Sequence, residues 1–347
     1  AYFAHNKDRK SDAYNKMLLL YTETLDAIDS PVKIKETKKN ITPNTSMTRT
    51  LFKKSNIYIK EYGKGQLASI SIKGFQASQT NLSWNGVELN SPMNGQSDLN
   101  ILQIGNNNSL VLSDENTNNL SGSIDLVQDF SFEKKHELAF SAAIGSFVSA
   151  SGNLSYLYTG KRWFSSTIVS YQAAKNDFTY LNPSLPGNPK SKQVNAETRI
   201  LNIDQFVAFK LNSRNEIKIF GKYFKANRNL APSLFETNAS ENQKDQLALG
   251  KFAWHHHYLK LETEFNTAFV YQELDYSFFN LSNSDKSIAY SWQTNFFLKE
   301  KFSDEFEYKL HVNQEIETAK SVNYNEDANR LRLNFDNDVI YTNKKFI

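Results

Sequence analysis

The chain has 347 residues, with 40 Lys and Arg against 37 Asp and Glu, and this near balance carries no basic footprint of a nucleic-acid binder. It contains no cysteine, which removes disulfides, thiolate metal ligands and thiol catalysis together. Phe, Tyr and Trp make up 13% of the residues while Gly numbers only 13, a β-favouring mixture, and no apolar run approaches the ~18 residues of a membrane-spanning helix.

The sequence opens at Ala1 with neither Met nor a signal-like pattern, so it is expected to be processed or cut from something longer. Residues 5–29 show helical spacing in places, and 30–43 read as a strand and a polar loop. Two short alternating runs follow, Asn56–Gln66 and Leu67–Ser78, joined through Gly63 and Gly65. Beyond them Asn85 and Gly86 sit between apolar runs, the strongest short-range hairpin signal. This first part is expected to be a compact α+β unit of short strands and many loops.

The character changes near Phe132 to His136, where a domain boundary is placed. From there on, period two dominates. Leu259, Leu261, Thr263, Phe265, Thr267, Phe269 and Tyr271 share one face while Lys260, Glu262, Glu264 and Asn266 share the other. The same alternation runs through Ile288–Leu298, Glu305–Ile316 and Arg330–Tyr341, each time with one apolar and one polar face. Counting such segments from His136 gives about ten strands, most longer than the ~9 to 11 residues that cross a bilayer. The expected links alternate between tight turns, at 159–162, 211–215, 255–257 and 301–305, and longer polar loops, at 181–194, 231–245, 280–286 and 322–329. Short turns at one end and long loops at the other fit an outer-membrane barrel; a soluble all-β domain with one wet face per sheet is the alternative.

Motifs in the first part carry a resemblance. In order they are Tyr62-Gly63-x-Gly65, the run Ile70 to Phe75 containing Lys73 and Gly74, the hairpin Trp84 to Asn90 with Asn85 and Gly86, the pair Asp98-Leu99, and Ser121 to Leu126 containing Gly122. This series resembles the plug domain of TonB-dependent outer-membrane receptors, and the stretch from Gly65 to Asn90 is most similar to receptors of the cobalamin type. Lys73 stands where the family has Arg, and Asn85 where it has Asp. The family's Gly-rich segment before the last plug strand is replaced by an Asn- and Ser-rich one, and no energy-coupling box stands out near the N-terminus.

The resemblance implies an all-β transmembrane barrel with an N-terminal α+β plug: residues 1–45 leading in, 46–133 the plug, 134–347 the first ten or so barrel strands. Barrels that enclose a plug have ~22 strands, so about half is represented, and a fragment of a receptor of roughly 600 residues is expected. The function implied is import of a scarce nutrient such as cobalamin or a siderophore across the outer membrane. The implied partners are a TonB-type energy-coupling protein, outer-membrane lipid and a surface lipoprotein. Two apical loops, Phe75, Gln76, Ala77, Ser78 and Met93, Asn94, Gly95, Gln96, would face the substrate, with Tyr180 and residues 182–192 as barrel-side candidates. A non-transporting outer-membrane barrel or a surface-binding, secretion-associated component is the other reading. No cofactor, metal or catalytic residue is assigned. His255 to His257 alternate about a strand or splay on a turn, which does not gather a metal, and Glu262, Glu264, Glu305 and Glu307 read as solvated lining. No Ser/His/Asp set is present to support an enzyme.

Overall fold

The computed structural model describes residues 32–35, 51, 57–72, 74–103, 108–113, 122–234, 241–277 and 284–342. Seven short strands come first: β1 Val32–Lys35, β2 Tyr58–Glu61, β3 Ala68–Ser71, β4 Asn81–Trp84, β5 Val87–Glu88, β6 Asn108–Ser113 and β7 Ser123–Gln128. Five of them make one sheet in the order β1-β6-β7-β4-β5, antiparallel except for β4 beside β7, while β2 and β3 form a separate ribbon. Asn85 and Gly86, at φ 51° and 74°, form the two-residue turn between β4 and β5, a geometry that Asn and Gly alone adopt readily.

Helix is scarce in this N-terminal body. Beside Leu51, the helical residues described are two 3-10 turns, Ala77–Gln79 and Leu99–Ile101. The α+β expectation is therefore not met among the described residues, because the stretch with helical spacing, 5–29, lies outside them. Lys73 lies outside them too.

Twelve strands follow: β8 Lys135–Gly145, β9 Ser149–Thr159, β10 Trp163–Ala174, β11 Thr179–Leu181, β12 Lys190–Lys192, β13 Thr198–Lys210, β14 Asn215–Asn229, β15 Asn242–Tyr258, β16 Leu261–Ser277, β17 Ser284–Lys301, β18 Phe306–Ser321 and β19 Ala328–Tyr341. All but β11 and β12 join one ten-stranded antiparallel sheet in sequence order. Strands β14 to β18 have 15 to 18 residues, well beyond the five or six of an ordinary strand. Residues 160–162, 211–214, 259–260 and 302–305 close one end of the sheet tightly, whereas links such as 175–197 and 230–241 stand at the other. Two details differ from the sequence reading. The third tight turn lies at Leu259 and Lys260, where Leu259 takes φ 53°, so His255 to His257 belong to the end of β15. The loop after β10 carries its own ribbon, β11 paired with β12.

The two faces of the large sheet differ as the alternation requires. The outer face aligns apolar side chains across strands: Phe269 opposes Trp292, Trp292 opposes Ile316, and Ile316 opposes Leu331, and these are 43%, 53%, 46% and 66% exposed. Aromatic pairs collect at the tight-turn end, with Trp163 against Phe209 at 5.4 Å, Trp254 stacked on His256 at 5.8 Å and Phe302 against Phe306 at 5.5 Å. An apolar band edged by aromatics is the surface a bilayer demands of a spanning sheet. Among the described residues no helix is long and apolar enough to cross a membrane.

The inner face carries the N-terminal body. Trp84 of β4 meets Phe220 of β14 edge-on at 5.9 Å, and Phe220 stacks on Phe206 of β13 at 4.5 Å. Phe130, just past β7, packs against Phe164 and Phe206 at 5.7 and 5.4 Å. Leu247, Leu249, Ala268 and Val270 extend this buried cluster along β15 and β16.

Candidate functional site between the N-terminal body and the sheet

The inner face also holds the body through polar contacts that point mostly at its backbone. Gln293 of β17 uses both amide atoms on Glu88, accepting from its N–H and donating to its carbonyl, each at 3.0 Å. The side chain thereby continues the ladder at the edge of β5. Gln272 donates to the Leu89 carbonyl at 2.8 Å, Lys251 to that of Asn85 at 2.7 Å, and Asn202 to that of Asn100 at 3.1 Å. In the other direction Gln66 donates to the Asn229 carbonyl at 2.9 Å.

One contact is ionic and fully enclosed. Arg228, near the end of β14, is 0% exposed; it pairs with Asp98 of the body and Asp245 of β15, and donates from Nε to the Gly65 carbonyl at 2.8 Å. Asp98 in turn caps the second 3-10 turn, accepting from Asn100 N–H at 3.0 Å and from Ala68 N–H at 3.2 Å. Gly65, at φ 75°, comes so close to the wall that a Cβ there would stand 2.7 Å from Thr198 Oγ1. Deeper along the sheet Lys222 meets Asp204 at 2.5 Å and lies over the Trp84 ring.

The two apical loops foreseen in the sequence come together. Phe75 and Gln76 are exposed, and Gln76 and Gln79 close a capping box around the first 3-10 turn, which contains Ala77 and Ser78. Gly95 lies against Ser78, where an added Cβ would stand 3.1 Å from the serine's own. The turn containing Met93, Asn94, Gly95 and Gln96 is held by Gly95 N–H to the Ser91 carbonyl at 2.7 Å and by Asn90 to the Gly95 carbonyl at 2.9 Å. The loop end of β14 and β16 is close by, through Arg228 on Asp98 and Gln272 on Leu89. Among the other motif residues, Gly63 and Gly74 take positive φ and Gly122 accepts from Asn81 N–H at 3.1 Å. Tyr180 sits in the β11–β12 ribbon, which is tied to the next loop by Ser184 donating to the Leu234 carbonyl at 2.9 Å. His255 and His256 point to opposite faces, the first to Glu262 at 3.2 Å and the second to Asn215 at 3.0 Å.

Between the body and β17 to β19 lies a cleft of about 370 Å³. Glu88 reaches into it beside Arg332, 3.7 Å away, and Arg332 also pairs with Glu315. Burial, reinforced by the charge of Glu315, pushes the Glu88 carboxyl up to about 7 against the pull of Arg332. Asp125 of β7 is also raised by burial, opposed by the Gly86 N–H that donates to both its oxygens.

No family model and no curated protein matches the sequence. Solved structures do match, and they define the class of fold. The siderophore receptor PiuA from Acinetobacter baumannii is 12% identical, with a TM-score of 0.60, over 89% of this chain and 53% of its own. The FrpB iron transporter from Neisseria meningitidis gives 0.65 at 9% identity over 84% of this chain and 49% of its own. The copper transporter OprC gives 0.62 at 12% identity over 86% and 48%. The chain thus has the fold of receptors and transporters for siderophores, iron and copper, and it spans about half the length of those it matches.

Sequence reasoning missed Arg228, Asp245, Gln272 and Gln293. Arg228, Gln272 and Gln293 occupy inward positions of recognisable strands and Asp245 lies in a stretch read as loop, but only the pairing register brings them to the body.

Replacing Arg228 by Ala leaves Asp98 and Asp245 buried without their cation, at an expected cost of about 3–5 kcal/mol. Hydrogen–deuterium exchange should speed up at residues 66–101, and Arg228→Lys should restore protection only in part. The Glu88 shift gives a second expectation. With its folded pKa raised from 4.5 to about 7, its stabilising contribution is complete below pH 4.5 and is lost as pH rises through 7. Thermal denaturation in detergent should therefore fall in midpoint across that window, and Glu88→Gln should flatten the slope.

Proposed function

We propose that this chain is the N-terminal plug and the first half of the barrel of a TonB-dependent outer-membrane receptor that imports a scarce nutrient. The observation that carries the reading is the pairing of two features in one fold. A ten-stranded sheet exposes an apolar outer face and seats a polar-bonded N-terminal body on its inner face. The likeness to siderophore, iron and copper proteins covers both parts at once, since it extends over 84–89% of the chain.

In this reading residues 46–133 are the plug and 134–347 the first strands of the barrel, and the outer membrane is the site of action. Substrate rests on the paired apical loops, 75–78 and 93–96, under the loops after β10 and β14. A TonB-type partner engages the segment 1–45 and draws on the body, whose polar contacts to the wall are mostly individually weak side-chain to backbone bonds around the Arg228–Asp98 anchor. A chelated metal is the substrate class that the neighbours' names favour. Cobalamin rests on the motif likeness of Gly65 to Asn90, and a surface lipoprotein on the family alone.

Uptake in cells tests the reading. Deleting residues 1–31, which leaves β1 in the sheet of the body, should abolish energised accumulation of the labelled substrate, a ferric siderophore or cobalamin, while surface binding persists. Accumulation that survives the deletion, or absence of binding to either substrate, overturns it.

A further inference from the structure

The outer face of the large sheet changes chemistry toward its loop end. Along β16 the outward side chains run Phe269, Tyr271, Glu273 and Asp275, and along β17 they run Trp292, Tyr290, Ile288 and Lys286 beside them. Tyr223, Ala248, Tyr271 and Tyr290 stand in register across four strands, and the Tyr271 and Tyr290 rings are 5.6 Å apart. Tyrosines so placed mark the depth at which hydrocarbon gives way to headgroups. Beyond them the outward positions carry charge.

That charge is matched on one part of the sheet and unmatched on another. On β17 and β18, Lys286 pairs with Glu273 at 3.0 Å and Lys320 with Asp327 at 2.6 Å. On β13 to β15, Arg199, Lys225 and Lys244 instead surround Asn227: Arg199 and Lys244 oppose it from either side, and Lys225 precedes it by two residues on the same face. Such diagonal neighbours lie ~7–8 Å apart, within joint reach of long side chains. All three cations are exposed, and among the described residues Arg199 and Lys225 form no ion pair, while Lys244 has Asp275 at 3.8 Å. Glu197, next along the outer face from Arg199, accepts from Asn229 at 3.1 Å. These strands are flanked by β10 and β16, so the patch is complete whatever pairs with the sheet's edges.

We propose that Arg199, Lys225 and Lys244 form a headgroup site for a phosphorylated glycolipid in the membrane leaflet at the loop end. The inference rests on the reading of the sheet as an outer-membrane barrel wall, in which the long loops stand outside. A lipid is the occupant because the patch continues the apolar face without a break. Leu201 opposes Lys225, and Ile203 opposes Tyr223 one step nearer the band, so acyl chains lie against these side chains while the headgroup meets the cations. Phosphate suits the set chemically: Arg199 offers a planar fork to two phosphate oxygens, and the lysines add point charges beside it. Asn227 and Gln246, between the cations, present amides to sugar hydroxyls. A zwitterionic headgroup brings its own cation to a surface already positive, and gains less there.

The test uses the full chain in detergent, stripped of lipid and titrated with diphosphoryl lipid A, its dephosphorylated form or phosphatidylethanolamine, with bound lipid counted by native mass spectrometry. Diphosphoryl lipid A should bind tightest. Arg199→Gln, Lys225→Gln and Lys244→Gln should each weaken it about fivefold, and the triple variant on the order of a hundredfold, at about 1 kcal/mol per cation near a charged lipid surface. Exchanging Arg199→Lys with Lys225→Arg keeps the charge and should keep most of the binding, and Lys161→Gln with Arg162→Gln, at a tight turn, should change nothing. Equal binding of the dephosphorylated form, or a triple variant as tight as the unaltered chain, would overturn the site. An equal loss from the tight-turn variant would overturn its location. Inorganic phosphate that raises the thermal midpoint as far as lipid A does would overturn the lipid as occupant. Because the titration needs neither substrate nor an energised partner, a chain that binds lipid A as expected yet imports nothing fails the import reading alone.

Discussion

A β-strand places successive side chains on opposite faces, and every backbone group in a low-dielectric layer must find a partner. The rest of this structure depends on those two constraints acting together. Ten antiparallel strands pair laterally, which frees the outer face to carry Phe269, Trp292, Ile316 and Leu331 exposed. The same alternation turns the other side chains inward, where polar residues flank the cluster of Phe206, Phe220, Leu249 and Val270. What sits there must be bonded, and the N-terminal body is bonded largely through its own carbonyls.

That mode of attachment has consequences for energetics and for motion. Side-chain to backbone bonds such as Gln272 to Leu89 and Lys251 to Asn85 are worth about a kilocalorie each net, or somewhat more where the donor is charged. They position the body without making it immovable. Arg228 differs in kind, because a buried guanidinium between Asp98 and Asp245 cannot lose a partner cheaply. Asp98 also caps the turn that follows the loop 93–96, so the anchor and that loop share one short segment. The body is therefore fixed most firmly on the side of β13 to β16, where this anchor and the aromatic cluster lie.

Much of the large sheet could be read from the sequence. Thirteen residues of strict alternation from Leu259, and similar runs from Ile288 and Arg330, leave no helical interpretation, and Asn85-Gly86 announces its own turn. The boundaries slipped by three or four residues where the pattern runs on through a turn, as at Leu259, whose apolar side chain continues the alternation although its backbone has already reversed. The site was less legible. Arg228, Gln272 and Gln293 look like any inward polar residue along a strand, and what selects them is the cross-strand register and the closeness of a body 130 to 205 residues away in sequence. The loops 75–78 and 93–96 were singled out by the family resemblance. The meeting of Ser78 with Gly95 depends on how β4, β5 and the intervening turns fold back, which the motif order alone does not encode.

The central claim is that the sheet presents its aromatic face to lipid and its other face to the body. Variants retaining a single tryptophan test this directly, since Trp292 lies on the outer face, 53% exposed, and Trp84 is enclosed between the body and β14, 3% exposed. In bilayers whose acyl chains carry bromine at mid-depth, the fluorescence of Trp292 should be strongly quenched and that of Trp84 little affected, with neither accessible to aqueous iodide. Quenching of Trp292 by iodide and not by the brominated lipid would contradict the account.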